Sequence, residues 1–110
     1  MMPETQIPLF QLIYESDANR AFSEAEINQL LMDSRKANGR RGITGILLYR
    51  GGRFTQVLEG EEARVRQLFE KIRQDIRHSN VSVRLEQAIE ARSFPNWSMA
   101  YSRRELSDFP

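Results

Sequence analysis

The sequence contains no cysteine, a single histidine and almost no net charge. The absence of cysteine excludes disulfides, zinc–thiolate sites and cysteine nucleophiles. One histidine argues against a metal site built from several histidines. The 16 basic and 15 acidic residues leave a net charge of +1, so the bulk charge gives no reason to expect nucleic acid or an anionic membrane as a partner.

Long apolar runs are also missing. No run approaches the ~20 residues that span a bilayer, and the first segment, "MMPETQIPLF", lacks the basic region and apolar stretch of a signal peptide. Of the 110 residues, 40% are hydrophobic and 28% are charged. This balance is ordinary for one soluble domain with a modest core, and we expect a cytoplasmic protein.

Hydrophobic periodicity predicts a strand and then a helix in the first third of the chain. Residues 9–16, "LFQLIYES", are predicted to form a strand with Phe10, Leu12 and Tyr14 on one face. The capping-box pattern "SEAE", which begins at Ser23, predicts a helix that runs to about Asn38 and ends at Gly39. The side chains expected to face the core are Phe10, Leu12, Tyr14, Ile27, Leu30 and Leu31.

The rest of the chain predicts a hairpin, a second helix and two final strands. The elements are expected as a strand at 42–50, a hairpin turn at 51–52, a strand around Gln56, a helix opening at Glu61, and strands at 81–92 and 97–102. The buried stripe of the second helix would be Val65, Leu68, Phe69 and Ile72.

The order β-α-β-β-α-β-β predicts an α+β fold. It corresponds to a ferredoxin-like sandwich with a mixed five-stranded sheet and two helices on one face. The other face would carry Ile46, Leu48 and Val57, an apolar surface that needs a cover, which favours a homodimer. The pattern "SRRE" at 102–105 repeats the capping box, so residues 103–110 would start a C-terminal segment, a helix that is cut short.

Three polar side chains fall on faces that otherwise read as core. Gln56 lies between Phe54 and Leu58, Tyr14 shares a face with apolar neighbours, and Asn38 ends the stripe of the first helix. Each group could satisfy a neighbour inside an ordinary core. If all three converge between the helices and the sheet, they would instead line a slot for a flat heterocycle with donors and acceptors on its edge.

Six segments, in order and spacing, resemble one known family. They are "LIYES" at 12–16, "SRKAN" at 34–38, "GITGILLY" at 42–49, "FTQVLEG" at 54–60, "DIRH" at 75–78 and "FPNWSM" at 94–99. Each motif is weak alone, but the set strongly resembles the BLUF family of blue-light sensors, which bind FAD. The resemblance implies a photosensory domain at 9–102 with the ferredoxin-like fold.

The resemblance implies a flavin held non-covalently between the two helices, either FAD or, as substitutes, FMN or riboflavin. Tyr14 matches the family's light-active tyrosine, and Gln56 matches the glutamine that bridges it to flavin N5 and C4=O. Asn38 matches the asparagine at the C4=O/N3 edge. Trp97 and Met99 match a switchable pair on the last strand, of which either one would face inward.

Other flavin contacts are implied by the same resemblance. Asp75, Arg77 and His78, at the end of the second helix, would face the ribityl chain and phosphates. For Arg77 and His78 a solvated, charged helix end is the alternative reading. The further predicted contacts are Arg35 and Lys71 for phosphate and Leu30, Leu31, Phe54, Phe69 and Ile72 as apolar walls.

The implied activity is light sensing and not catalysis. Tyr14 would give an electron and a proton to the excited flavin through Gln56, which then changes its hydrogen bonds by rotation or tautomerisation. The rearranged network would shift the flavin absorption to the red and reach a partner through the last strand. That partner would be an effector protein or an effector domain beyond this chain.

Two other classes of protein compete with this reading. An acylphosphatase-like hydrolase would need a glycine-rich phosphate loop after the first strand, and "ESDANRAFSE" has Arg20 but no glycine. A ligand-free ferredoxin-like interaction domain is the second alternative. Nucleic-acid binding by such a domain is disfavoured because no strand has the exposed aromatic pairs that stack on bases.

Overall fold

The computed structural model describes residues 8–103, which form one five-stranded sheet and two helices. The elements are β1 (Leu9–Ala18), α1 (Glu24–Arg41), β2 (Thr44–Arg50), β3 (Arg53–Gly60), α2 (Glu62–Arg73), β4 (His78–Ile89) and β5 (Ala100–Ser102). Their order confirms the predicted β-α-β-β-α-β-β sequence and the ferredoxin-like fold.

The strand order across the sheet is β4-β1-β3-β2-β5. Strands β1 to β4 pair antiparallel, and β5 runs parallel to β2, so the sheet is mixed as predicted. In the β1–β3 register Tyr14 lies directly opposite Gln56. Side chains at directly opposed positions are within contact distance on one face of a sheet, so the pairing of these two strands brings Tyr14 and Gln56 together.

The first helix starts where the sequence predicts but ends later. Ser23 and Glu26 form the complete capping box. The predicted end at Gly39 is wrong, because the helix continues through Gly39 to Arg41 and stops at Gly42. Gly42 has φ 65° and its N–H bonds back to the last turn, a left-handed cap that favours glycine.

The last two strands differ from their predicted bounds. Strand β4 begins at His78 and ends at Ile89, not at 81–92, and β5 covers only Ala100–Ser102, not 97–102. The "DIRH" segment therefore follows α2, which ends at Arg73, and enters β4. Trp97 and Met99 precede β5 and are not on it. The predicted helix start in "SRRE" lies mostly outside the described residues.

Two apolar clusters pack on the two faces of the sheet. The larger one lies under the helices and includes Leu12, Tyr14, Leu47 and Leu58. On the other face Ile46, Leu48 and Val57 are buried against Phe94. The sequence predicted that a second copy would cover this apolar face. The segment between β4 and β5 covers part of it instead.

Candidate functional site

A cleft of about 200 Å³ opens between the two helices and the helix-facing side of the sheet. Its polar lining includes all three side chains that the sequence singled out, Tyr14, Asn38 and Gln56. Each of them is buried. The remaining lining residues are Phe22, Leu30, Asp33, Ser34, Ala37, Leu47, Phe54, Leu68, Ile72, Asp75, Arg77 and His78.

A continuous chain of contacts runs from Tyr14 through Gln56 to Met99. The Tyr14 hydroxyl donates to Gln56 Oε1 at 2.5 Å, and Gln56 Nε2 donates to Met99 Sδ at 3.4 Å. This amide orientation uses the oxygen as acceptor and the nitrogen as donor, which suits both partners. Met99 is 1% exposed whereas Trp97 is 49% exposed, so the methionine is the member of the pair that faces inward.

The surroundings of Tyr14 keep its hydroxyl protonated. Burial raises the pKa of Tyr14 well above the ordinary range, and the negative charge of Asp75 raises it further. Phe69 packs beside the ring with centroids 5.4 Å apart. Tyr14 is therefore a neutral phenol whose proton lies on a short hydrogen bond to Gln56, a geometry suited to coupled loss of an electron and a proton.

Two side chains of α1 hold the backbone just before β5. Asn38 Nδ2 donates to the carbonyl of Ser98 at 2.7 Å, and Arg35 Nε donates to the carbonyl of Met99 at 2.8 Å. Asn38 is 1% exposed and also lines the cleft. It therefore contacts both the cleft and the segment that carries Met99. Arg35 is not part of the cleft lining.

Charged side chains from the turn after α2 line one end of the cleft. Arg77 pairs with Asp75 through its side chain, with Nη2 and Oδ2 2.6 Å apart. This hydrogen-bonded pair lowers the pKa of Asp75 and raises that of Arg77. The carboxylate and the guanidinium thus stay charged and largely offset one another. Asp33, which also lines the cleft, acts on Arg77 as a second negative charge.

His78 is held between Ile72 and Ser16 beside the turn. Its Nε2 lies 2.6 Å from the carbonyl oxygen of Ile72 and its Nδ1 lies 2.7 Å from Ser16 Oγ. A carbonyl oxygen only accepts, so Nε2 donates its N–H to Ile72. The ring meets Tyr14 edge-on, with centroids 6.2 Å apart, and so buttresses the phenol.

Six predicted site residues do not line the cleft: Arg35 and Met99, described above, and four others. Leu31 is buried in the main core, and Phe69 is half-buried behind Tyr14. Lys71 is exposed. Trp97 stacks on Phe94, with centroids 6.1 Å apart, on the far side of the sheet from the cleft.

The sequence analysis missed several lining residues as site candidates. Phe22 precedes the helix cap and packs edge-on against Phe54, with centroids 5.3 Å apart. Asp33 and Ser34 lie one turn before Ala37 and Asn38. Ser34 lies four residues before Asn38 and therefore on the same helix face, a spacing that could have identified it from the sequence. Phe22 had no such signal because it lies in a loop, where periodicity is absent.

The family comparison now identifies the chain. The model of the BLUF family, described as "Sensors of blue-light using FAD", matches residues 9–100. The chain therefore belongs to the BLUF family. This membership confirms the resemblance drawn from the six motifs, and it makes the chain a flavin-based blue-light sensor module.

Curated relatives and solved structures agree with this assignment. The photoactivated adenylate cyclase subunit beta of Euglena longa is 36% identical over 93% of this chain, which spans only 12% of that relative. The dark-state structure of BlrB, a BLUF protein, is 41% identical with a TM-score of 0.81, covering 86% of this chain and 71% of that one. BlsA in its photoactivated state is 36% identical with a TM-score of 0.83, covering 90% and 72%.

Residues 8–103 can be searched for membrane-spanning helices and for groups of metal-binding side chains. No helix in that range is both long and apolar enough to cross a membrane. Within the same range no three or more His, Asp or Glu side chains are grouped as a metal site would need.

Proposed function

We propose that this chain binds FAD in the cleft and senses blue light through Tyr14, Gln56 and Met99. The donor set fits a flavin. Apolar side chains from both helices would contact the ring faces, while Asn38 and Gln56 offer amide donors and acceptors to its polar edge. The observation that carries the proposal is the buried chain of contacts Tyr14–Gln56–Met99, which opens directly onto this cleft.

Flavin excited by blue light supplies a strong oxidant. Tyr14 is the electron donor in our proposal, since a phenol is easily oxidised and this one lies in the wall of the cleft. Its proton would pass along the hydrogen bond to Gln56 Oε1, which lies 2.5 Å from the hydroxyl oxygen. Because oxidation of a phenol makes its proton strongly acidic, the proton would follow the electron from Tyr14 to the flavin by way of Gln56. Both would return to Tyr14 on recombination, so the flavin and the phenol would regain their starting redox states and only the hydrogen bonds of Gln56 would differ. The neutral dark-state phenol is the form that can make this coupled transfer.

Gln56 then stores the change as a new set of hydrogen bonds. Its amide has one acceptor and one donor end, so rotation or tautomerisation exchanges what it offers to Tyr14 and to Met99. The 3.4 Å contact between Gln56 Nε2 and Met99 Sδ must then be remade. Met99 directly precedes β5, so this change is delivered to the strand at the edge of the sheet. A flavin bound in the cleft would then absorb slightly further to the red, because its hydrogen bonds to the protein would differ.

The cofactor in our proposal is FAD, with FMN and riboflavin as substitutes. The family description supports FAD, while one similar solved structure, BlrP1 of Klebsiella pneumoniae, is described with FMN. We place the ribityl chain and phosphates toward Asp75, Arg77 and His78, at one end of the cleft. Lys71 and Arg35 are not in the cleft lining, so neither is included among the proposed flavin contacts.

We propose that the output acts on a separate effector. The matched relatives include photoactivated adenylate cyclases, of which this chain spans only a small part. A bacterial light-regulated adenylyl cyclase also matches this chain, with a TM-score of 0.83 and 28% of its length covered. The change at β5 would bias the contact with such an effector, whether it is a domain of the same protein or a partner.

The experiment that tests this function compares the wild-type protein with Tyr14→Phe and Gln56→Leu. All three are purified, loaded with FAD and illuminated with blue light. We expect the wild type to show a reversible red shift, and both variants to bind flavin without it. A normal red shift in Tyr14→Phe would remove Tyr14 as donor, and one in Gln56→Leu would remove the amide from the mechanism.

A tyrosine and a glutamine outside the cleft lining are the matched controls. Tyr101, on β5, is half-buried and lies outside the cleft lining, and Gln29 is exposed on α1. We expect Tyr101→Phe and Gln29→Leu to retain the red shift. A protein that binds none of FAD, FMN or riboflavin would overturn the flavin proposal and favour a ligand-free interaction domain.

A further inference from the structure

A long crossover connects the two edges of the sheet. Strand β4 lies at one edge and β5 at the other, four strand spacings or about 19 Å apart. The crossover segment, residues 90–99, links them and carries both Trp97 and Met99. It passes the face opposite the helices, where Phe94 packs on Ile46, Leu48 and Val57.

A buried carboxylate holds the middle of this crossover. Glu59 is 0% exposed, and both of its carboxylate oxygens accept hydrogen bonds. Oε1 accepts from the backbone N–H of Phe94 at 2.9 Å, and Oε2 accepts from the N–H of Ser93 at 3.1 Å and from Gln11 Nε2 at 2.8 Å. A carboxylate is suited to this role because it offers several acceptor positions and no donor.

Arg92 adds a second attachment next to the first. Its guanidinium donates to the backbone carbonyl of Glu59 at 2.9 Å, to Thr44 Oγ1 at 2.8 Å and to the carbonyl of Gly42 at 2.8 Å. The crossover is thereby fastened to both β3 and the start of β2. These attachments precede Met99 by only five to seven residues along the chain.

Strand β3 therefore carries two linked groups on opposite faces. Gln56 and Glu59 are three residues apart, so they project to opposite sides of the sheet. Gln56 contacts Met99 directly, and Glu59 fixes the crossover that leads to Met99. The place of the Met99 sulfur against the amide therefore depends on this anchor, together with the bonds that Arg35 and Asn38 make beside Met99.

We propose that Glu59 is a positioning residue for the light switch. Its carboxylate sets the register of the crossover on β3 and so delivers the Met99 sulfur to Gln56 Nε2. This inference rests on the proposed function, because it assigns a role in the same switch. Glu59 touches neither the cleft nor Tyr14, and it acts through Met99.

The test replaces the carboxylate by its nearest isostere. Glu59→Gln keeps one acceptor but turns an N–H₂ group toward the backbone N–H of Ser93 or Phe94, so one attachment is lost. Met99 is followed in the dark through its methyl NMR signal, with the exposed Met32 as internal reference. We expect the Met99 signal to move toward that of Met32, and the emission of Trp97, the single tryptophan, to change.

The same variant is then illuminated after loading with FAD. We expect its dark-recovery rate to differ from that of the wild type by at least about fivefold, the effect of losing one hydrogen bond. Glu86→Gln is the matched control, because Glu86 is an exposed carboxylate on β4 paired with Arg66. It should leave the Met99 signal and the recovery rate unchanged.

A role limited to stability would have a different signature. If Glu59→Gln lowers the unfolding temperature but leaves the Met99 signal and the recovery rate as in the wild type, the positioning role is overturned. The NMR readout needs no light response. A wild type without a red shift would therefore refute the proposed function, while the Glu59–Met99 relation would still be decided in the dark.

If the Glu59→Gln variant does not fold, the anchor can still be tested by amide hydrogen exchange in the wild type. The backbone N–H groups of Ser93 and Phe94 lie outside regular secondary structure, so without an acceptor they would exchange rapidly with solvent. We expect both to exchange slowly, because Glu59 accepts from each. Fast exchange of both amides would contradict the anchor itself.

Discussion

Tyr14 illustrates how a single residue acquires its chemistry from its surroundings. An isolated tyrosine has a pKa of about 10. Here burial and the negative charge of Asp75 raise it, while one strong hydrogen bond directs the proton to Gln56. The same phenol on the surface would be an ordinary polar residue. What makes it a candidate electron donor is the combination of cleft, burial and partner.

The raised pKa of Tyr14 predicts how stability depends on pH. Below about pH 9 the hydroxyl is protonated in both the folded and the unfolded chain. Above about pH 10 the unfolded chain loses this proton while the folded one keeps it. The unfolding free energy should therefore fall by up to about 1.4 kcal/mol per pH unit from this group. The measurement is urea denaturation of the wild type and of Tyr14→Phe at pH 8, 10 and 11.

Other groups that titrate at high pH act in both proteins and cancel in the difference. We expect the wild type to lose more stability than Tyr14→Phe above pH 10. Equal losses in the two proteins would show that Tyr14 ionises as freely when folded as when unfolded.

Asn38 is predicted to serve both the flavin and the crossover. Asn38→Ala removes an amide from the cleft and also the hydrogen bond to Ser98. We expect flavin affinity to fall by about five- to tenfold, the effect of one hydrogen bond in a buried site, with a shifted dark spectrum. The measurement is a fluorescence titration with FAD.

Asn28→Ala is the matched control for this prediction. Asn28 is exposed on the same helix, so its replacement should leave affinity and spectrum as they are. An Asn38→Ala protein with wild-type affinity and spectrum would remove Asn38 from the flavin contacts.

At the scale of elements, the pairing of β2 with β3 depends on a glycine. A Cβ built on Gly45 would lie 1.8 Å from the backbone oxygen of Val57. No backbone atom can yield that far without moving the strand. This close approach keeps Leu47 opposite Gln56 in the same pair of strands, so it also shapes the floor of the cleft.

Alanine substitutions at two glycines should have opposite effects. Gly45→Ala forces the strands apart and should lower the unfolding free energy by about 1–3 kcal/mol. Gly39 is exposed inside α1, with nothing within 4 Å of an added Cβ, so Gly39→Ala should raise it by about 1 kcal/mol. Urea denaturation measures both. An unaffected Gly45→Ala protein would contradict the close approach.

Element order was predictable from the sequence because each signal is local. Capping boxes, apolar periodicity and Gly51-Gly52 act within a few residues. The exact ends were harder to predict. From the sequence, either Gly39 or Gly42 could end the helix. Only the structure shows that Gly42 has the left-handed backbone of a helix cap. β4 starts early, at His78, because pairing with Ala18 extends it, and such a long-range partner is not visible in local sequence.

The polar centre of the site was predictable for a different reason. Tyr14, Gln56 and Asn38 are polar residues at positions where the periodicity requires apolar ones, and they also fall in recognisable motifs. That Met99 faces inward while Trp97 faces outward was not predictable, because both lie in an irregular segment. The role of Glu59 was hidden too, since its donors are backbone N–H groups 34 and 35 residues away.

At the scale of the whole molecule, the sheet separates the cleft from the crossover segment. The helix-facing side holds the cleft and the Tyr14–Gln56 pair. The opposite side holds Phe94 and the crossover, which returns to the first side at Met99. A change at a flavin in the cleft would therefore have a short physical route to the edge strand β5, where an effector could detect it.

The central claim is that light rearranges the hydrogen bonds of Gln56 around an otherwise unchanged flavin. The most direct test is the visible absorption spectrum of the FAD-loaded protein in darkness, under blue light and during return to darkness. We expect a structured flavin band that moves slightly to the red and relaxes back with its shape preserved. A flavin band that does not move, or that bleaches as the flavin is reduced, would contradict this account.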